Sequence, residues 1–135
     1  MTHTFPIRVY YEDSDADGIV YHANYLKFAE RARTELLREQ GFEHYETLRE
    51  HNLVLVVYHI EVFFKVPARL GDLLEVRTET VSCNNTAIIL TQTIGLGDKA
   101  VAEVKSTIVG MSPDGKPMRL SPQLRQIFAV PPAAK

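Results

Sequence analysis

Four carboxylates crowd into one short stretch of this chain, between Tyr11 and Tyr21. They belong to Glu12, Asp13, Asp15 and Asp17. Like charges held this close repel one another by roughly 1 kcal/mol per close pair even in water-like surroundings. A fold that keeps them together commonly uses them. Carboxylate oxygens suit two tasks. They can bind a cation, or they can take part in catalysis by attacking a substrate or accepting a proton.

The stretch resembles the opening of a calcium-binding loop. Asp13, Asp15 and Asp17 stand at its first, third and fifth positions, and Gly18 stands at its sixth. The twelfth position, where such loops carry a bidentate glutamate, is Asn24. The residues ahead of the loop alternate like a strand, whereas a calcium loop needs an entering helix there. The sequence therefore favours a use of these acids without a metal.

A long amphipathic helix is predicted directly after the acids. From about residue 21 to residue 40, apolar side chains recur at three- and four-residue steps, and Gly41 supplies a stop. Unpaired N–H groups at the start of a helix favour negative charge, so they suit the oxyanion formed when a carbonyl carbon is attacked. A carboxylate just ahead of them can act as nucleophile or general base, and Asp15 is the central candidate. The pattern is typical of half of an acyl-transfer site.

The other residues of the stretch also have structural interpretations. Asp13 and Asp17 are interpreted as turn caps, because short carboxylates accept hydrogen bonds from nearby backbone N–H groups. His22 is either an acid or substrate contact, or a local cap. Asn24 suits the N-cap of the helix. Three residues are the candidates for substrate binding, with a cap or packing role as the alternative: Tyr21, Asn24 and Tyr25.

The remaining elements have the pattern of an antiparallel sheet. A first strand is predicted at residues 7–11, and a long strand with one core face runs from Val54 to Phe64, where even-numbered positions are apolar. Short helical turns are predicted at residues 44–52. Three further strands and a closing helix are predicted at residues 73–83, 86–94, 100–111 and 121–128. This order favours an α+β fold, with helices on one face of an antiparallel sheet.

Composition fits a single domain spanning residues 1–135. The 135 residues are 45% hydrophobic, which supports one core. A formal net charge of −2 provides no basic field for nucleic acid. No apolar run reaches the roughly 20 residues of a transmembrane segment, and the N-terminus lacks a signal pattern, so a cytoplasmic protein is expected. Because one helix cannot cover a twisted five-strand sheet, a homo-oligomer is expected.

Residues 8–25 resemble the signature of the 4-hydroxybenzoyl-CoA thioesterase family. Within it, the match is to the bacterial acyl-CoA thioesterases encoded beside the Tol-Pal envelope system, whose helix continues much like Phe28 to Glu35. Length and element order agree over essentially the whole chain. The resemblance implies the hotdog fold, a curved five-stranded antiparallel sheet wrapped around one long central helix. It also implies association through the sheets into dimers and usually tetramers, that is, a dimer of dimers.

The resemblance implies roles for individual residues. The family's catalytic aspartate is the second acid of its Asp-x-Asp element, which is Asp15 here, and the backbone N–H that polarises the substrate carbonyl falls near His22. Asp17 departs from the family, in which a small residue more often precedes the glycine. The implied activity is hydrolysis of acyl-CoA to a free acid and CoA, with Asp15 as nucleophile or base and with no cofactor or metal.

Two alternatives stay open. The same site suits acyl-carrier-protein thioesters or aromatic acyl-CoA, and outside enzymes a non-catalytic acyl-binding or interaction protein of envelope lipid metabolism fits the same pattern. The phosphates of CoA would need a few basic groups at the pocket mouth. Arg31, Lys65 and Arg69 are the candidates for that contact.

Overall fold

One antiparallel sheet and one long helix make up most of the described chain. The structure is a computed structural model that describes residues 2–42 and 50–130, so the helical turns predicted at residues 44–52 lie largely outside it. The strands are β1 (Thr2–Arg8), β2 (Val54–Phe64), β3 (Leu73–Cys83), β4 (Ala87–Leu96), β5 (Lys99–Met111) and β6 (Pro117–Met118). The helices are α1 (Asn24–Glu39) and α2 (Pro122–Ile127). No helix among these residues is long and apolar enough to cross a membrane.

The sheet has the strand order β1-β3-β4-β5-β2, and every neighbouring pair is antiparallel. The two-residue strand β6 pairs with the end of β5. Thus β1 and β2, which flank α1 in the sequence, form opposite edges of the sheet. The α+β class and the hotdog architecture predicted from the sequence are confirmed.

The first strand was predicted a few residues too late. It ends at Arg8, and Tyr11–Asp13 form a 3₁₀ turn instead. The carboxylate of Asp13 accepts the N–H of Tyr10 at 2.9 Å, which takes this backbone out of the sheet ladder. Strand periodicity at residues 7–11 could not reveal that competing side-chain bond.

Helix α1 forms because its apolar residues share one face. Phe28, Ala29 and Ala32 are completely buried on that face. The helix ends as the sequence predicts, since Gly41 adopts a φ of +87° and its N–H donates to the carbonyl of Arg38 at 3.1 Å. Phe42, directly after this stop, is also fully buried. The helix is therefore held at its end by packing as well as along its face.

Strand β2 contains a β-bulge that the sequence pattern did not predict. The register shifts between Val57 and His59, so Tyr58 is the additional residue. Val57 lies opposite Ile108, and Val62 lies opposite Val104. The side that faces the helix therefore carries Val57 before the bulge and the even-numbered residues after it. The prediction of one unbroken even-numbered core face from Val54 to Phe64 was wrong in its first half.

Two apolar clusters fill the core, and a buried glutamine lies beneath the helix between them. One cluster lies under the first half of α1 and the other under its second half, where α2 closes it. Gln92 is completely buried, and its Nε2 donates to the carbonyl of Ala29 at 2.9 Å and to Oγ1 of Thr78 at 3.0 Å. Its Oε1 accepts Nη1 of Arg33 at 2.9 Å. Gln92 thus joins helix and sheet, and both polar atoms of its side chain have hydrogen-bond partners.

Candidate active site

Asp13 is a structural anchor of the acidic stretch. It is 5% exposed, and its carboxylate accepts a hydrogen bond from the N–H of Tyr10. Its carbonyl accepts the N–H of Tyr21 at 2.9 Å and Nδ2 of Asn24 at 2.8 Å. These bonds tie the stretch to the start of α1. The geometry agrees with the turn-cap interpretation of Asp13.

Asp15 lies in a tight turn with its side chain exposed. Its N–H donates to the carbonyl of Ile19 at 2.9 Å, and its carbonyl accepts the N–H of Gly18 at 3.0 Å. Gly18 has a φ of +76°, a backbone conformation that residues other than glycine rarely adopt. The N–H of Asp17 donates to Oδ1 of Asp15 at 2.9 Å. The carboxylate of Asp15 is therefore oriented by the backbone while it faces solvent.

Two of the four acids, Asp13 and Asp15, accept backbone N–H groups through their carboxylates. Within residues 2–42 and 50–130, no three or more His, Cys, Asp or Glu side chains are grouped as metal ligands would be. The two oxygens described above, on Asp13 and Asp15, each accept a backbone N–H. The turn therefore orients one exposed carboxylate, which is the arrangement that a nucleophile or base requires.

Helix α1 starts at Asn24, about three residues after the start that the apolar spacing predicts. Ala23 occupies the N-cap position without a side-chain cap, and Asn24 is the first helical residue. The expectation that Asn24 caps the helix was therefore wrong. Its side chain is 7% exposed and reaches back to the carbonyl of Asp13 instead. An amide can make this contact because its NH₂ group donates, which a capping oxygen does not.

Two N–H groups at the helix start have no acceptor among the described residues. The next three N–H groups, of Asn24, Tyr25 and Leu26, donate to the carbonyls three residues earlier, at 2.8, 3.4 and 3.2 Å. Those of His22 and Ala23 make no hydrogen bond within the described part of the chain. His22 is also exposed. The positive end of α1 thus offers unpaired donors seven residues after Asp15.

Aromatic rings surround this helix start. The His22 ring lies 4.5 Å from the ring of Tyr21 and 6.2 Å from that of Phe64, measured between centroids. Tyr25 packs against Phe64 at 5.8 Å and against Phe28 at 5.9 Å. Tyr21 is 48% exposed, whereas Tyr25 is 3% exposed. Of the two tyrosines predicted to bind substrate, only Tyr21 is open to a ligand.

Tyr25 connects the helix to a loop that the sequence did not associate with the site. Its hydroxyl oxygen accepts the N–H of Ala68 at 3.3 Å, and the carbonyl of Ala68 accepts the N–H of Val20 at 2.8 Å. Burial raises the pKa of Tyr25, the Ala68 hydrogen bond opposes that rise, and the charge of Asp72 adds to it. Pro67 and Gly71 mark this loop as a turn in the sequence, but nothing local indicates its partner.

The loop also supports the acidic turn directly. Ile19 and Arg69 form an antiparallel bridge, and the N–H of Leu70 donates to the carbonyl of Gly18 at 3.2 Å. Of the basic residues considered for phosphate, Lys65 lies 3.6 Å from Glu103, and Arg31 lies 6.0 Å above the ring of Phe28. Arg69 is exposed and lies beside the turn. Of the three, Arg69 is the one with a described contact to the acidic turn, through its bridge to Ile19.

A cavity of about 670 Å³ lies away from this turn, beneath the second half of α1. Glu30 and Arg33 line one side of it. Burial lowers the pKa of Arg33, and the charge of Glu30 opposes that effect. The rest of the lining is mostly apolar and includes Leu37, Leu55, Val57, Ile88, Leu90 and Ile108. The cavity could not be predicted from the sequence, because its walls come from separate elements.

Comparison with known proteins gives consistent matches. A profile of the thioesterase-like superfamily matches residues 9–132. The acyl-CoA thioester hydrolase YbgC of Escherichia coli is 48% identical over 90 residues, which cover 67% of this chain and 66% of that protein. The acyl-CoA thioesterase YbgC of Haemophilus influenzae is 48% identical over 89 residues, which cover 66% of this chain and 65% of that protein. The matched segment thus spans just under two thirds of these curated relatives.

A solved structure resembles the fold over nearly its whole extent. The probable thioesterase from Bartonella henselae superposes with a TM-score of 0.85 at 37% identity. The match covers 90% of this chain and 100% of that one. The similarity therefore extends over most of the fold.

Proposed function

Since this chain belongs to the thioesterase-like superfamily, we propose that it hydrolyses acyl-CoA thioesters to a free acid and CoA. One observation carries the proposal: a carboxylate oriented by a backbone N–H, on Asp15, precedes a helix start whose N–H groups at His22 and Ala23 have no acceptor among the described residues. The names of the two curated relatives support the substrate class.

In the proposed reaction, the thioester oxygen accepts the N–H of His22, with that of Ala23 as a second donor. Asp15 then acts in one of two ways. As a nucleophile it attacks the carbonyl carbon and expels the CoA thiolate, and water cleaves the resulting mixed anhydride. As a base it takes a proton from the water that attacks directly. Both routes consume one water and yield one acid and one thiol.

The neighbouring residues divide into contact and positioning roles. We assign substrate contact to Tyr21, because its ring is half exposed beside His22. Asn24 and Tyr25 are buried, and their polar atoms bind Asp13 and Ala68. We therefore propose that they fix the distance between the acidic turn and the helix start, rather than touch the substrate.

Substitution of the acid tests the proposal. Asp15→Asn keeps the shape of the side chain and the acceptor oxygen for the N–H of Asp17, but it removes the charge. Thiol release from acyl-CoA is expected to fall by about 10² to 10⁴-fold, with an unchanged circular dichroism spectrum. Asp17→Asn is the matched control, because it alters an acid in the same turn and leaves Oδ1 of Asp15 its N–H donor.

Near-normal hydrolysis by Asp15→Asn, or an equal loss in Asp17→Asn, would overturn the assignment. Single turnover in isotopically labelled water separates the two routes. Label in the Asp15 carboxylate identifies the nucleophilic route, in which water attacks the aspartyl carbonyl of the anhydride, whereas a base places label only in the released acid. Assays with and without EDTA test the metal-free site, and loss of activity with EDTA would favour the calcium loop.

We further propose that the protein acts as a homo-oligomer, a dimer or a dimer of dimers, in the cytoplasm. Strand β2 pairs only with β5 in the described sheet, so its 11 residues leave one edge open. Large apolar side chains on this strand are exposed, including Tyr58 at 77% and Phe63 at 47%. Analytical ultracentrifugation is expected to show dimers or tetramers at micromolar concentration, and a monomer would contradict this part of the proposal.

A further inference from the structure

One peptide group in the loop between β2 and β3 is held from both of its sides. It joins Ala68 to Arg69. Its carbonyl accepts the N–H of Val20, at the end of the acidic turn, at 2.8 Å. Its N–H donates to Oδ2 of Asp72 at 2.9 Å. The oxygen and the N–H of a trans peptide group point in opposite directions, so Asp72 holds the side of this group that faces away from Val20.

Ala68 also contacts the helix start. Its N–H donates to the hydroxyl oxygen of Tyr25, in the first turn of α1, at 3.3 Å. Ala68 is completely buried, and Val20 is 4% exposed. The two backbone groups of one loop residue thus bind the end of the acidic turn and the start of the helix. The spacing between Asp15 and His22 therefore depends on where this loop residue lies.

Asp72 itself is fixed to the sheet. It directly precedes Leu73, the first residue of β3. Its carbonyl accepts the N–H of Val9 at 2.8 Å, and the N–H of Gly71 donates to the carbonyl of Val9 at 3.0 Å. These bonds extend the antiparallel pairing of β1 with β3, in which Arg8 lies opposite Leu73. Because Asp72 has this rigid support, its carboxylate fixes the loop in relation to the sheet.

The charge of Asp72 strengthens the contact to the acidic turn. A hydrogen bond to an ionised carboxylate is roughly twice as strong as one between neutral groups. Since connected hydrogen bonds polarise one another, the carbonyl of Ala68 becomes a better acceptor for the N–H of Val20. Burial raises the pKa of Tyr25 and the charge of Asp72 adds to that rise, so this carboxylate also lies near the helix start.

We propose that Asp72 is a positioning residue for the candidate active site. Through the peptide group that follows Ala68, its carboxylate holds Val20 in place. It thereby sets the distance from the Asp15 carboxylate to the N–H of His22, without touching the substrate itself. This inference rests on the proposed hydrolysis of acyl-CoA, and it adds to the site a residue from outside the acidic stretch.

Two substitutions of Asp72 test this inference through hydrolysis. Asp72→Ala removes the acceptor for the N–H of Arg69. For octanoyl-CoA, kcat is expected to fall about tenfold and KM to stay within about twofold, because the reacting groups lose their spacing while the binding surfaces remain. Asp72→Asn keeps an oxygen acceptor, so it should retain kcat to within about threefold.

Asn84→Ala is the matched control. Asn84 lies just beyond the other end of the 11-residue strand β3, and its Oδ1 accepts the N–H of Thr86 at 2.9 Å and that of Ala87 at 2.8 Å. Like Asp72→Ala, this substitution removes a side-chain acceptor from a turn, but it does so away from the acidic turn. It should lower the midpoint of urea unfolding and leave kcat per folded molecule unchanged.

Three kinetic outcomes would overturn the inference while leaving hydrolysis that depends on Asp15 intact. The first is full activity of Asp72→Ala. The second is an equal loss of kcat in Asn84→Ala, which would reduce the effect to general stability. The third is a rise in KM at constant kcat in Asp72→Ala, which would assign Asp72 to substrate binding.

Amide hydrogen exchange, followed by NMR, separates this inference from the proposed catalysis. Val76, a completely buried residue of β3, reports the opening of the sheet as a whole. In Asp72→Ala, the exchange rate of the Val20 N–H relative to that of Val76 is expected to rise at least about tenfold, and in Asn84→Ala it should not change. This result would support the inference even if no CoA thioester were cleaved. Equal acceleration at both amides in Asp72→Ala would overturn it even if Asp15 proved essential for hydrolysis.

Discussion

The two ends of α1 are built from different interactions. At its start, hydrogen bonds hold the acidic turn, and Asp13 alone joins Tyr10, Tyr21 and Asn24 through 2.8–2.9 Å contacts. Beneath its second half, apolar side chains surround a cavity of about 670 Å³. Directional bonds position reacting atoms, whereas apolar walls distinguish ligands by size. One helix thus supports a hydrogen-bonded turn at its start and an apolar cavity beneath its second half.

The sharpest test compares Asp15→Asn with Val57→Trp, which places a large ring among the residues that line the cavity. The first should lower turnover for all chain lengths by a similar factor, about 10² to 10⁴-fold, because it removes the proposed nucleophile or base. The second should act on long chains alone. Plots of kcat/KM against chain length should therefore shift downward in one variant and flatten in the other. Similar shapes for both variants would show that the two ends are not separate.

A smaller effect is expected from Asn24→Ala at the hydrogen-bonded end. Loss of the Nδ2 bond to the Asp13 carbonyl loosens the distance between the turn and the helix start. We expect kcat to fall about ten- to a hundredfold with little change in KM, and the free energy of unfolding to fall by about 1 kcal/mol. Leu26→Ala, in the same helical turn but exposed, is the control. An increase in KM at constant kcat would instead assign Asn24 to substrate binding.

Tyr25→Phe should change stability in a pH-dependent way. Burial raises the pKa of Tyr25, so the folded state keeps this proton to a higher pH than the unfolded chain, whose phenol ionises near pH 10. Its contribution is complete below about pH 10 and is lost as the pH rises through the folded pKa. Urea unfolding between pH 8 and pH 11 should show a steeper decline for the unmodified protein than for Tyr25→Phe. Tyr58→Phe, at an exposed position, controls for the loss of a hydroxyl, and identical slopes in all three would refute the linkage.

The smallest effect is expected from Arg69→Ala. Its exposed guanidinium lies beside the turn, where it can attract the phosphates of CoA. We expect KM to rise about two- to fivefold at low salt, with kcat unchanged and the difference reduced at high salt. Lys65→Ala is the control, because that ammonium group already lies 3.6 Å from Glu103. A loss of kcat in Arg69→Ala would instead indicate that the bridge to Ile19 shapes the turn.

Features with a local cause were predictable from the sequence. Helix α1 follows from apolar spacing and Gly41, and β3 follows from alternation between two turns, with the predicted bounds of residues 73–83 confirmed. The motif at residues 8–25 indicated the fold and the family. The geometry of Asp15 and His22 is compatible with their expected roles, which remain predictions.

Features that depend on distant partners were not predictable. The side-chain bond of Asn24 requires knowing where the Asp13 carbonyl points. The bulge at Tyr58 depends on the register of β2 against β5, which alternation alone does not show. The loop that supports the turn is connected through Tyr25 and Ala68, and neither residue type indicates such a contact. The cavity combines walls from α1 and three strands, so no segment carries its signal.

The edge position of β1 has a consequence for the order of folding. Phe5 pairs with Val76, so the N-terminal strand has no sheet partner until β3 has been made. The N–H of Val20, at the end of the acidic turn, donates to the carbonyl of Ala68, which is also made later. Closing such long loops is entropically costly and slows folding. During synthesis, α1 leaves the ribosome before Ala68, whose N–H binds the hydroxyl of Tyr25 in the first turn of the helix. The proposed acyl-CoA hydrolysis would then depend on residues that are made late, so a chain synthesised only as far as α1 would lack the complete site.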